Sequence, residues 1–216
     1  MSPPAHHRTT TDPAPCSSQS DADIRPVGAA VYLAVEGAPE TPALVGVLVD
    51  GDFETFVCDP VLKPAAGEKG LPFLEIADLA DMLAARCRSD DRQLIGWSDS
   101  VLAAFTPATG TDLSPVFREA RAIAAAWMAR CHPDQPTRDW RLTDLLPLVD
   151  FPRSSHLGYG KSAKRLRAVR SMIARKGSFE QLTGTVKGQW TKLLQHNETE
   201  CRGMEAVVTT AAAQSP

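Results

Sequence analysis

Near the C-terminal end, His196 and Glu200 stand one helical turn apart in the run His196-Asn197-Glu198-Thr199-Glu200-Cys201-Arg202-Gly203-Met204, which follows Lys192-Leu193-Leu194. Residues three and four apart on a helix are neighbours. A base, an acid and, at Gly203, a point of close backbone approach therefore converge on whatever that face touches. Histidine titrates near neutrality and can accept or return a proton at physiological pH. The competing reading is a surface pair in which His196 hydrogen-bonds Glu200 or a backbone carbonyl. Far upstream, Val31-Tyr32-Leu33-Ala34-Val35-Glu36-Gly37 sets a carboxylate in an otherwise apolar strand. An ionised Glu is rarely buried without a partner, so Glu36 either meets one or reaches solvent at the strand end.

Taken together these segments resemble the ribonuclease-H-like nucleases of the DEDD exonuclease type. That family carries an aromatic residue or His ahead of a metal-binding Asp on its final helix, and Glu200 stands at the Asp position. Its first motif is an Asp-x-Glu pair on the central strand. Residues 34 and 36 share a strand face as such a pair must, but position 34 is Ala. The second motif corresponds to Leu94-Ile95-Gly96-Trp97-Ser98-Asp99-Ser100-Val101-Leu102, where Val101 occupies the acid register and Asp99 is a displaced candidate.

The resemblance implies a metal-dependent 3′–5′ exonuclease, a hydrolase of phosphodiester bonds, with Glu36, Asp99, His196 and Glu200 as catalytic residues. His196 would be the general base, and Glu36 and Glu200 the ligands of Mg²⁺ or Mn²⁺. Two-metal hydrolysis needs several converging carboxylates. With Ala34 in place of an acid, the expectation is a divergent homologue with impaired metal binding that still binds nucleic acid. An active exonuclease and a non-catalytic protein-interaction module are the alternatives. Asp50, Asp59 and Glu198 are the acids available to replace the missing ligand.

Charge is segregated. Residues 151–192 hold ten Lys or Arg against one acid, Glu180, a block of +9 in a chain whose total is −3. Such a block suits phosphates, an acidic partner or an acidic part of the same chain. Lys161, Lys164, Arg165, Arg167, Arg170, Lys187 and Lys192 are the candidates for nucleic-acid contact, DNA or RNA unspecified, through the backbone rather than the bases. Trp97, Trp127, Trp140 and Trp190 sit in apolar contexts that favour core packing over base stacking, with Trp190 left open. Cys131-His132, His196 and Cys201 lack zinc-site spacing. Gly158-Tyr159-Gly160-Lys161-Ser162 lacks the first glycine of a phosphate loop and follows no buried strand, which makes it an entry to a basic helix.

To position these residues the pattern predicts an α/β fold. Strands are expected at Ala29–Val35, Ala43–Val49 and Phe53–Cys58, with Asp50-Gly51 as a tight hairpin turn. An amphipathic helix Leu74–Cys87 then leads to a strand Gln93–Gly96 parallel to the first. This β-β-β-α-β opening is that of a ribonuclease-H-like core. A mainly helical half follows: Asp99–Phe105, Leu113–Arg130, Thr143–Val149 interrupted by Pro147, Lys161–Lys176 closed by Gly177, and Gly188–Ala212. Residues 61–70 read as a loop. Residues 1–26 read as a disordered tail, 27–212 as one domain with a helical insertion about 107–185, and the end as fraying from 209, with 213–216 outside the domain. Five scattered cysteines fit a reducing compartment, and no membrane span is evident, so the expected location is cytoplasmic.

Overall fold

The computed structural model describes residues 29–38, 41–105, 110–135, 139–157 and 160–214. Five strands, β1 (Ala30–Ala38), β2 (Thr41–Val49), β3 (Asp52–Val57), β4 (Gln93–Gly96) and β5 (Phe117–Glu119), form one mixed sheet. Their order is β3-β2-β1-β4-β5. The first three are an antiparallel meander, whereas β4 runs parallel to β1 and β5 parallel to β4. Asp50 (φ 52) and Gly51 (φ 86) make the turn between β2 and β3 with positive φ at both centres, as the sequence predicts.

Among the described residues seven α-helices accompany the sheet: α1 (Lys63–Glu68), α2 (Ile76–Ser89), α3 (Ser100–Ala103), α4 (Ala120–Cys131), α5 (Leu142–Leu145), α6 (Ser162–Lys176) and α7 (Gly184–Ala213). Alternation along β1 divides the core. Val31 and Leu33 join Leu79, Leu83 and Leu94 on the α2 side. Ala30, Tyr32 and Ala34 join Cys201, Met204, Val207 and Val208 under α7. A third cluster packs Leu166, Val169 and Ile173 of α6 and Trp190 and Leu193 of α7 on Leu44, Val57 and Leu62. The 30 residues of α7 give it a length of about 45 Å, enough to cross the whole sheet. Its start is fixed by the Thr183 hydroxyl, which accepts from the Val186 N–H. Gly177 (φ 77) closes α6 in the left-handed conformation, as expected.

Several boundaries differ from expectation for identifiable reasons. Residues 117–119, expected inside a helix, are the edge strand β5, a short piece whose register on β4 is set by tertiary pairing. Residues 63–68, expected as loop, are helical because Pro64 falls in the first turn, where its missing N–H costs nothing. α7 starts at Gly184 rather than 188, since the Thr183 cap outweighs the two glycines at 184 and 188. At its end Val207, Val208 and Ala211 are buried and Trp127 Nε1 donates to Gln214 Oε1 at 2.8 Å, so the expected fraying from 209 is not seen through Ala213. Trp190 is fully buried, which removes it as a stacking platform. The expected tail 1–26 and residues 215–216 lie outside the described residues. Among those described, no helix is long and apolar enough to cross a membrane.

Candidate functional site

Glu36 is the last residue of β1 in regular register with β2. The register slips between Glu36 and Gly37, where Gly37 adopts φ 137 and a Cβ would lie 2.7 Å from the Thr41 carbonyl oxygen. A bulge at this point ends the regular ladder beside the carboxylate, a place where bulges re-aim side chains. Glu36 continues the Ala30, Tyr32, Ala34 face and so points toward α7, which arrives with His196 and Glu200. His196 Nε2 lies 3.3 Å from Glu36 Oε1, and His196 Nδ1 lies 3.7 Å from Glu200 Oε1. Three of the four residues expected to be catalytic therefore meet.

Burial governs their protonation. It pushes the Glu36 carboxyl up from 4.5 to about 7, partly offset by a hydrogen bond from Ser162, with the Glu200 charge adding to the rise and Arg165 opposing it. It pushes His196 down from 6.5 to about 4, assisted by the charges of Arg153 and Arg165. Glu200 is also raised by burial and is held back by Arg153, whose Nη2 is 3.6 Å away. Burial thus favours the neutral form of both groups, and the Glu36–His196 pair titrates as a unit. His196 Nδ1 and Arg153 Nε are buried without a hydrogen-bond partner. Buried polar groups without a partner are uncommon, and each calls for an explanation.

Asn197 completes the floor. It is fully buried, and its Nδ2 donates to the Ala34 carbonyl at 2.9 Å. Its Oδ1 lies 2.4 Å from where a Cβ on Gly46 would be, and Gly46 is the cross-strand partner of Ala34. Cross-strand partners project to the same face, so the carboxamide occupies the face of β1 and β2 on which an acid at position 34 would stand.

The other expected residues fall elsewhere. Asp99 is exposed at the head of α3 and makes no hydrogen bond or ion pair with Glu36, His196 or Glu200. Val101 is buried in the α2-side core, on the opposite side of the sheet from the cluster. None of the replacement acids has moved in. Asp50 pairs with Arg92 at 2.7 Å, Asp59 with Arg170 at 2.8 Å, and Glu198 with Arg202 at 2.8 Å. Arg153, Ser162 and Asn197 were not among the residues expected at the site, although Ser162 stands in the Gly-Lys-Ser run that opens the basic helix and Asn197 is adjacent to His196.

A pair of divalent ions fits this arrangement poorly. The imidazole stands between the two carboxylates, one facing each ring nitrogen, so the three groups do not open onto a shared point. Among the described residues no group of three or more His, Cys, Asp or Glu could hold a metal ion.

The basic block splits as well. Arg170 is committed to Asp59, and the Lys187 ammonium lies 5.5 Å from the centroid of the Phe179 ring. Arg165, only 8 % exposed, donates Nη1 to the Leu157 carbonyl. Arg167 is exposed. Lys161, Lys164 and Lys192 are exposed around a cleft between α6 and α7 of about 520 Å³. No protein-family model, no curated protein and no solved structure matches the chain.

Proposed function

We propose that this chain is a ribonuclease-H-like homologue of DEDD-type exonucleases whose acidic centre no longer supports two-metal hydrolysis and which binds nucleic acid through the α6–α7 face. The observation that carries the reading is the meeting of Glu36, at the end of the central strand, with His196 and Glu200 on the last helix. The sheet order supports it too: β1 lies between an antiparallel β2 and a parallel β4. Impairment follows from the residues around the cluster. Asn197 covers the Ala34 position, and Arg153 and Arg165 bring guanidinium charge to carboxylates that a divalent ion would otherwise neutralise. The exposed cations Lys161, Lys164, Arg167 and Lys192 remain available to phosphates, whose binding releases counterions and needs no base recognition.

The test is cleavage and binding of end-labelled single-stranded and duplex DNA and RNA with Mg²⁺ or Mn²⁺, beside a Glu36→Gln/Glu200→Gln double variant. The expected result is no cleavage, with salt-sensitive binding retained in the variant. Cleavage that disappears in the variant would establish an active exonuclease instead. Loss of binding as well as cleavage would leave a protein-interaction module whose basic helix docks an acidic partner.

A further inference from the structure

The α6–α7 cleft differs from an ordinary basic surface in what lines it. One wall is the start of α7 from Gly184 to Lys192, about 12 Å or roughly two helical turns long. The other is the start of α6, from Lys161 to Ala168. The lining surface is almost wholly apolar although Lys161, Lys164 and Lys192 border it, and among the described residues no carboxylate does. Long cationic side chains give this result when their methylene stems cover the floor and their ammonium groups reach water at the rim. All three lysines are exposed. Glycine shapes the floor. A Cβ at Gly184 or Gly188 would meet nothing within 4 Å, so the chain's own packing requires glycine at neither position. Inside a helix Gly188 costs stability, and what it permits in return is the close approach of another backbone.

A strand of nucleic acid makes little use of such a floor, because no aromatic ring lines it for a base to stack on. A trough between two helices, apolar at the bottom and cationic at the rim, matches a third helix that is apolar along one stripe and acidic beside it. We infer that the α6–α7 cleft is a docking groove for an acidic amphipathic helix of a partner protein. Its apolar side chains, spaced i, i+3/i+4, i+7, lie over Ala168, Gly184 and Gly188, and its carboxylates meet Lys161, Lys164 and Lys192. Charge complementarity sets the sign of the partner: residues 151–192 carry +9 with a single acid, so an acidic helix is attracted and a basic one repelled. The inference stands apart from the nucleic-acid reading. Where both hold, helix and strand compete for the same three lysines, and the partner regulates strand binding.

Fluorescence anisotropy on the full chain tests this with three labelled peptides: a helix with a leucine stripe flanked by glutamates, a scrambled peptide of the same composition, and the first helix with lysine for every glutamate. Two variants accompany them. Gly188→Leu fills the groove where the chain's own atoms leave room and replaces a poor helix former with a good one; Lys164→Ala/Lys192→Ala changes two exposed positions. The acidic helix is expected to bind at least tenfold tighter than the scrambled peptide, and the lysine helix not to bind. Gly188→Leu should weaken the acidic helix at least tenfold with no loss of thermal stability. The lysine double variant should weaken it and flatten its salt dependence. No binding of the acidic helix, binding equal to that of the scrambled peptide, or binding unchanged in Gly188→Leu overturns the groove. If in that case single strands bind and Gly188→Leu abolishes their binding, the groove belongs to nucleic acid. Self-association of the chain that is lost in Gly188→Leu, without peptide binding, gives it to a second copy. Strand binding that survives Gly188→Leu while the acidic helix does not bind overturns the groove and keeps the nucleic-acid reading.

Discussion

His196 Nε2 lies 3.3 Å from Glu36 Oε1, joining the last helix to the end of the central strand through a buried imidazole and a buried carboxyl that titrate together. The pH dependence of stability follows from their burial. Glu36, raised from 4.5 to about 7, contributes stability that is fully present below its unfolded value and is lost as pH rises through its folded one. His196, lowered from 6.5 to about 4, contributes stability present above its unfolded value and lost as pH falls through its folded one. Between roughly 4.5 and 6.5 the pair as a whole binds the same number of protons in both states of the chain, so the two slopes cancel.

Glu36→Gln keeps a donor for His196 and removes only the carboxyl's titration. Relative to the parent, the variant should gain stability as pH rises from 4.5 to about 7, by up to about 3 kcal/mol. Urea unfolding at about pH 4.5 and about pH 8 checks this. An unchanged difference between the two chains would show that Glu36 is an ordinary exposed carboxylate.

Gly46 leaves room for Asn197, because a Cβ there would sit 2.4 Å from Oδ1. Gly46→Ala should destabilise the chain by about 1–3 kcal/mol, the cost of overpacking a buried position. The loss should be smaller in an Asn197→Ala background, and a double-mutant cycle reads that coupling. Independent, additive effects would place Asn197 away from Gly46.

Restoring the acid that the family resemblance expects should not restore a metal site. Ala34→Asp would bury a carboxylate against Asn197 with no cation among the contacts described at that position. A destabilisation of about 2–4 kcal/mol is expected, measured by thermal or urea unfolding. Mg²⁺ should not recover it. Recovery on adding Mg²⁺ would show that the cluster can still gather ligands around an ion.

Much of the sheet was legible because local chemistry and tertiary need agree there. Asp50-Gly51 tolerates the positive φ that its turn requires, the strand Gln93–Gly96 appears with the predicted bounds, and Gly177 caps α6. Strand β5 was not legible, since three half-buried residues carry no alternation and are recruited by β4. In the site, the helical spacing of His196 and Glu200 and the polarity of Glu36 in an apolar strand were enough to pick out the partners. Arg153 was hidden because nothing local distinguishes it from the other cations of its block; only the fold brings it beside Glu200. Asp99 was misplaced because proximity in sequence to β4 does not fix which way the chain turns after it.

The most direct test of the central claim is the salt dependence of single-strand binding, measured with EDTA and again with Mg²⁺ while watching for cleavage. Three or four phosphate contacts from Lys161, Lys164, Arg167 and Lys192 predict a log–log slope of about −2 to −3. The slope should be the same with and without the metal, shallower in Lys164→Ala/Lys192→Ala, and unchanged in Arg170→Ala, whose guanidinium is held by Asp59. Salt-insensitive binding, absent binding, or cleavage that requires Mg²⁺ and vanishes in Glu36→Gln/Glu200→Gln would contradict the account.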